Sequence, residues 1–260
     1  MMSETDRNRA ADILVAAEKT RKQAVQLSKT WPDITIEDAY AISTEVANRK
    51  IAAGARLIGH KVGLTSKAMQ HSSQIDEPDY GHLLDYMMIG DGARVPHENY
   101  CLPRVEIELA FILGRPLRGP GVRLPDVLRA TEYVVPAIEI VDARLQDPRK
   151  IFDTVADNGA AAGIAIGGRP VGPLDVDLRW VGGIMYRNSE IEETGVAAGV
   201  LGHPALGVAW LANKLGAHGV TLEVGHIVLA GSFTRVVFAR KGDTLHADFG
   251  TLGGIAVQFV

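Results

Sequence analysis

The sequence predicts an α+β protein, a helical N-terminal segment followed by a mixed, rolled or barrel-like β-sheet. Three observations lead there. Glycine makes up 28 of 260 residues, well above the ~7% of average usage, which suits a chain with many tight turns. From residue 57 onward, short apolar runs alternate with Gly, Pro and Asp clusters, the pattern of bounded strands. Regular alternation of strand and helix is missing, which argues against a parallel βαβ sheet.

The elements follow in order. Residues 6–28 are Ala-rich, carry mixed charges and hold no Gly or Pro, so they read as one helix that Trp31-Pro32-Asp33 breaks. Thr35 is the next N-cap, with Glu37 and Asp38 in the first turn, where the helix dipole favours negative charge. Ala39, Ile42 and Val46 recur at helical spacing, and Gly54 is the stop. Strands are expected at 57–62, 93–95, 105–113, 134–141, 163–166, 182–187, 226–229, 235–239, 244–249 and 255–260. Two helices interrupt them. One runs over 125–130 with Pro125 at its first position; the other runs over 204–215, opened by Gly202-His203-Pro204 and closed by Gly216. Lys241-Gly242-Asp243 is a turn between antiparallel strands. The division expected is a helical region at 1–56 and a second, strand-rich domain at 57–260.

Composition removes several function classes. A net charge of −4 leaves no broad basic surface for nucleic acid. One cysteine, Cys101, makes neither an internal disulfide nor a CxxC motif. The polar start of the chain lacks the apolar core of a signal peptide. Residues 196–212 approach the length of a short membrane span, but three glycines and a His-Pro pair interrupt them, so they read as a buried loop and helix. No membrane association is expected, and the cytoplasm is the default compartment. GxGxxG, P-loop, HExxH and GxSxG motifs are absent, and no two of the eight histidines stand four apart, so a zinc or iron site of the usual histidine kind is not expected.

The chemistry concentrates on a few acidic and basic residues. In Arg104-Val105-Glu106-Ile107-Glu108 the side chains alternate faces, so Glu106 and Glu108 share one face at roughly 7 Å between Cα atoms. Both can reach one cation; the plainer alternative is a solvated acidic face. Glu139 stands inside the apolar run Val134–Val141, and a lone buried carboxylate is costly unless paired or metal-bound. If Glu139 faces the other two, three carboxylates make an all-oxygen site suited to Mg²⁺ or Mn²⁺; otherwise it pairs with Arg144 or Arg104. Lys61 lies between Gly59 and Gly63, which allow close backbone approach. There it either holds an oxyanion or transfers a proton, or is an ordinary strand lysine. Asp79 is a general base or a turn former. Asp157-Asn158 and the small residues after it mark a close approach, at a ligand or within the core. His203 reads as a helix-start residue.

Taken together, these stretches resemble the fumarylacetoacetase-like superfamily, and within it the hydratase/decarboxylase branch of aromatic meta-cleavage pathways. The resemblance rests on residues 104–108, Ala137-Ile138-Glu139, 59–70 and 77–81, with further matches at 147–154, 185–188, 192–201 and 231–235. It covers nearly the whole chain. It implies a rolled β-sheet core, a divalent cation on Glu106, Glu108 and Glu139, and Lys61 and Asp79 as catalytic residues. It also implies a large homo-oligomer, a pentamer or decamer. The substrate implied is a small 2-hydroxy-2,4-dienoate or 2-oxo-3-enoate, foremost a seven-carbon dicarboxylate, to which water is added. Leu64 and Thr65 are placed to hold its 1-carboxylate, and Ser232 and Arg235 to close the far end, with Arg235 on a second carboxylate. Two departures stand out: a short connection at 145–148, and Gly159 where alanine is expected. Three rivals share some of these features: the sister decarboxylase, a C–C hydrolase using His60 and Glu77, and a non-catalytic subunit of a decarboxylase complex.

Overall fold

The computed structural model describes residues 1–72 and 74–260. Helices α1 (Glu4–Thr20), α2 (Leu27–Thr30) and α3 (Ile36–Ala52) come first. Then follow β1 (Leu57–Gly63), α4 (Lys67–Ser72), β2 (Asp79–Leu84), β3 (Met88–Ile89), β4 (Ala93–Val95), β5 (Pro103–Leu113), α5 (Leu124–Ala130), β6 (Thr131–Asp142) and α6 (Ile151–Ala156). The chain continues through β7 (Ala161–Ile166), β8 (Gly182–Arg187), β9 (Glu190–Val196), α7 (Pro204–Gly216), β10 (Ile227–Leu229), β11 (Val237–Phe238), β12 (Thr244–Asp248) and β13 (Gly254–Phe259).

The strands form two sheets. The larger runs β2-β1-β10-β5-β6-β7-β3, with β11 added to β5; the smaller runs β4-β13-β12-β8-β9. Parallel pairs (β1 with β10, β3 with β7, β4 with β13) stand among antiparallel ones, which is the mixed sheet the sequence predicts. Ile107, Leu109 and Phe111 of β5 share a core with Leu245 and Val257 of the smaller sheet and with Leu211 of α7. These side chains occupy one face of β5, so Glu106 and Glu108 are left on the other. Burying a Phe or Leu contributes about 1.5–3 kcal/mol each, and that holds β5 in register. A second core joins Leu14 of α1 and Ile42 of α3 to Val155 of α6.

Several expected boundaries shift for physical reasons. The first helix ends at Thr20, not at residue 28: Arg21 turns left-handed (φ 57°), and Ala24 forms a bridge with Leu145, its N–H donating to Arg144 O. A tertiary hydrogen bond there overrides helix propensity. Thr35 caps α3 as expected, in a capping box with Asp38. Pro125 is the second residue of α5 rather than the first. Residues 79–84, where the sequence predicts no strand, form β2, whose polar Asp79-Tyr80-Gly81-His82 carries little strand propensity and is set by pairing with β1. The edge strand β9 is polar and largely exposed, so it lacks the alternation that marks a strand. The strand expected at 235–239 is reduced to Val237–Phe238. The short helices α4 and α6 have no counterpart in the sequence reading. α6 begins where Asp153 accepts from Lys150 N (2.9 Å) and from Ser28 N (2.9 Å).

Residues 196–212 do not form a span: α7 starts at Pro204, with His203 as its N-cap accepting from Ala205 N. Among the described residues no helix is long and apolar enough to cross a membrane.

Candidate active site

The β5–β6 register decides the centre of the site. Glu106 lies directly opposite Glu139, and Glu108 opposite Ala137. Alternation puts Glu106, Glu108 and Glu139 on one face, and one carboxylate oxygen from each lies within 4.8 Å of the others. Glu108 and Glu139 are fully buried, and Glu106 is partly so. Glu108 Oε2 accepts from Gly231 N at 2.8 Å. Glu108 Oε1 and both oxygens of Glu139 are buried with no hydrogen-bond partner. Buried carboxylate oxygens are costly unless paired or bound to a cation. Three carboxylates converging on one point, two of them with orphaned buried oxygens, fit a divalent cation.

Lys61 reaches this cluster from β1, two strands away. Its Nζ stands 3.8 Å from Glu139 Oε2, and its side chain is buried. Lys61, and neither Arg144 nor Arg104, is therefore the cation beside Glu139. Arg144 is bound to Asp157 at 2.5 Å, and Arg104 to Asp147 at 3.2 Å. Asp79, the first residue of β2, pairs with Gly63 on β1. It is a buried strand residue, not a turn former, and its Oδ1 has no partner. Glycine at 63 is what leaves room for the Asp79 carboxyl beside the Lys61 side chain. A Cβ there would lie 2.2 Å from Asp79 Oδ1 and 3.1 Å from Lys61 Nζ. Gly159 does the same on the other side: it sits at φ 58°, and a Cβ would lie 3.1 Å from Lys61 Cε. Gly159, the first of the small residues after Asn158, is thus a packing point against Lys61. Asn158 itself is held by its carboxamide, whose Oδ1 accepts from His82 N at 2.7 Å.

Electrostatics follow from four carboxyl groups around one ammonium. Burial pushes the Glu139 carboxyl up to about 7, with Glu106 and Asp79 adding to the rise and Lys61 opposing it. Burial, then Glu139 and Glu106, raises Glu108 well above the usual carboxylate range. Glu106 and Asp79 are raised by burial as well, against the pull of Lys61. Burial would lower Lys61, but Glu139, Asp79, Glu106 and Glu108 outweigh it and hold the ammonium above its ordinary value. Lys61 is held as a positive charge, and Glu139 is the carboxyl whose proton exchange is moved to near neutrality.

Lys61, Asp79 and Glu106 open onto a cavity of about 880 Å³, also lined by Leu64, Thr65, Ser232 and Arg235. Leu64 takes a left-handed backbone (φ 54°), and Thr65 is buried. Ser232 Oγ lies 3.0 Å from Thr234 O. Arg235 is 84% exposed in its side chain and pairs with Glu193 at 2.9 Å, so it stands at the rim. Two further arginines, Arg104 and Arg149, line the same cavity. The sequence reading gave them no place in the site, although alternation along β5 puts Arg104 on the face of Glu106 and Glu108. The hydrolase pair is not assembled: the His60 ring stands beside His82 and His226, with centroids 5.3 and 6.3 Å away, while Glu77 is bound by Lys214 at 2.6 Å. Those three histidines converge although the sequence scatters them.

Known proteins resemble this chain in sequence and in fold. The fumarylacetoacetate (FAA) hydrolase C-terminal family matches residues 52–260. A 2-oxo-hept-4-ene-1,7-dioate hydratase of Escherichia coli is 58% identical over 257 residues, 96% of each chain. A 2-hydroxyhexa-2,4-dienoate hydratase of Comamonas testosteroni is 41% identical, over 95% of this chain and 94% of that one. Among solved structures, 4-oxalocrotonate decarboxylase from Pseudomonas putida G7, complexed with magnesium and adipate, superimposes with a TM-score of 0.97 at 33% identity, covering 100% of this chain and 99% of that one.

Proposed function

The chain belongs to the fumarylacetoacetate hydrolase C-terminal family, and from that premise we propose that it is a hydro-lyase that adds water to a 2-hydroxy-2,4-dienoate, most closely the seven-carbon 1,7-dioate. The product is the 4-hydroxy-2-oxo acid, here 4-hydroxy-2-oxoheptanedioate, and the setting is meta-cleavage catabolism of aromatic compounds. The observation that carries the reading is the trio of converging carboxylates, two of them with orphaned buried oxygens, beside a buried lysine. The identity to hydratases named for such dienoates supports the substrate class.

Glu106, Glu108 and Glu139 would hold the divalent cation, Mg²⁺ in this proposal. Bound there, it would supply Lewis-acid stabilisation for the negative charge that develops on a 2-oxo acid. The remaining steps belong to side chains. Lys61, held charged by its four carboxyl neighbours, donates to the 2-oxygen and offsets the negative charge that develops on it. Asp79, buried with a free oxygen and a raised pKa, takes and returns protons. The enol O–H loses its proton and C5 gains one, giving the conjugated 2-oxo-3-ene. The dienol, the 2-oxo-4-ene and the 2-oxo-3-ene differ only in where one proton sits. Water then adds through oxygen at C4, and C3 takes a proton as the ketone re-forms, so the net change is one water. Leu64 and Thr65, next to Lys61 in sequence, are assigned to the 1-carboxylate end through their backbone amides.

The test is a product assay with 2-hydroxyhepta-2,4-diene-1,7-dioate in Mg²⁺ and then in EDTA. Loss of the dienol absorbance with a mass gain of one water, abolished by EDTA, is the expected result. Release of CO₂ from an oxalocrotonate-type acid without hydration would move the protein to decarboxylase chemistry. The pentameric or decameric assembly is a separate part of the proposal, read from the mass in solution.

A further inference from the structure

Along β5 one face presents Glu108, Glu106 and Arg104 in succession. No register shift interrupts β5 over these residues: Arg104 is opposite Val141 just as Glu106 is opposite Glu139. Each residue advances ~3.3 Å, so Arg104 stands ~7 Å beyond Glu106 and ~13 Å beyond Glu108. That range matches a seven-carbon diacid held by its C1 end at the glutamates. Arg104 is held firmly. Its guanidinium stacks on Phe238 at 4.7 Å from the ring centroid, and its Nη2 donates to Asp147 Oδ2 at 3.2 Å. Arg149 Nε donates to the other oxygen of Asp147 at 3.1 Å, so one carboxylate bridges two guanidiniums. Arg104 Nε is buried and has no partner. A buried guanidinium N–H left unpaired beside a cavity of this size is suited to a carboxylate, which guanidinium recognises in a fork geometry.

Resting on the hydratase reading above, we propose that Arg104, with Arg149 beside it, receives the far carboxylate of a dicarboxylate dienoate and sets the preference for two-carboxylate substrates. Asp147 is the positioning residue that fixes both guanidiniums. Arg235, the arginine the sequence suggested for this role, stands exposed at the rim and is engaged by Glu193, where water screens it. The short connection that carries Asp147 is then part of substrate selection, since it brings Arg149 to the cavity.

The experiment measures kcat/KM in Mg²⁺ on 2-hydroxyhepta-2,4-diene-1,7-dioate and on 2-hydroxypenta-2,4-dienoate, for wild type, Arg104→Gln and Arg235→Gln. The dicarboxylate-to-monocarboxylate ratio is expected to fall about 100-fold in Arg104→Gln, the size of loss seen when a buried charged pair loses one partner. Arg104→Lys, which keeps the charge but not the fork, is expected to fall less and serves if the glutamine variant does not fold. An unchanged ratio in the Arg104 variants, or a larger fall in Arg235→Gln, overturns the proposal. A wild type that hydrates neither substrate overturns the hydratase reading, and this inference as it is stated. Heptanedioate and hexanoate, titrated without turnover, read the same contact: wild type is expected to prefer heptanedioate, and Arg104→Gln to lose that preference.

Discussion

Replacing Glu139 by glutamine separates what the carboxylate trio does for cation binding from what it does for the fold. In the metal-free protein Glu139 is fully buried, with no hydrogen-bond partner on either oxygen and only Lys61 Nζ at 3.8 Å as a counter-charge. The unfolded chain loses this proton near the ordinary 4.5, whereas the folded chain keeps it until about 7. Stability of the metal-free protein therefore falls as pH rises between those values, and the deficit is fully present above the higher one. A displacement of that size corresponds to about 3 kcal/mol at pH 8. Glutamine removes the charge but leaves a buried amide to satisfy, which costs about 1–2 kcal/mol. Lys61 keeps three carboxyl neighbours, Asp79, Glu106 and Glu108, so losing Glu139 does not strand it. The balance is a gain of about 1–2 kcal/mol in EDTA, or a melting temperature higher by about 2–6 °C for a chain of this size. In Mg²⁺ at 100 times its Kd the wild type gains about 3 kcal/mol by mass action, and Glu139→Gln gains none. Scanning calorimetry of both proteins at pH 8, in EDTA and in excess Mg²⁺, reads all four values. A variant markedly less stable than wild type in EDTA would mean that Glu139 serves Lys61 rather than a cation. A variant that still responds to Mg²⁺ would refute its place in the trio.

Three further outcomes follow from the same geometry. Lys61→Met should lower kcat by about 10²–10⁴-fold yet still bind Mn²⁺, since no ligand is lost; Mn²⁺ titration by paramagnetic resonance beside the rate separates the two. Cation affinity should weaken as pH falls below about 7, because Glu139 takes a proton there and a ligand carboxyl must be deprotonated; calorimetric Mg²⁺ titrations at pH 6 and pH 8 check the direction, and equal affinities would contradict it. Asp157→Asn should destabilise the fold by about 3–5 kcal/mol, because it leaves the buried Arg144 guanidinium without its carboxylate; denaturant melts measure it, and a loss below 1 kcal/mol would refute the pairing.

Fold class and most of the chemistry-bearing residues were legible in local sequence pattern. Periodicity in β5 fixed which residues point together, so Glu106 and Glu108 were readable as one face, and the apolar run of β6 marked Glu139 as anomalous. Thr35 and His203 were legible as caps because capping is a local contact. What no local pattern contains is register and close approach between distant segments. Only the β5–β6 pairing put Glu139 opposite Glu106. Only the β1–β2 pairing, over a glycine with no room for a Cβ, turned Asp79 from a turn residue into a buried neighbour of Lys61. The first helix stopped early because Ala24 pairs with Arg144 and Gln146, more than a hundred residues on. The arginines divided in the same way. Sequence offered Arg104 and Arg144 as partners of Glu139 and Arg235 for a second carboxylate; packing gave Arg144 to Asp157, Arg235 to the rim and Arg104 to the cavity wall. Side-chain alternation and capping are set by neighbours in the chain, whereas burial and charge pairing are set by neighbours in space, and those exist only once the sheets have closed.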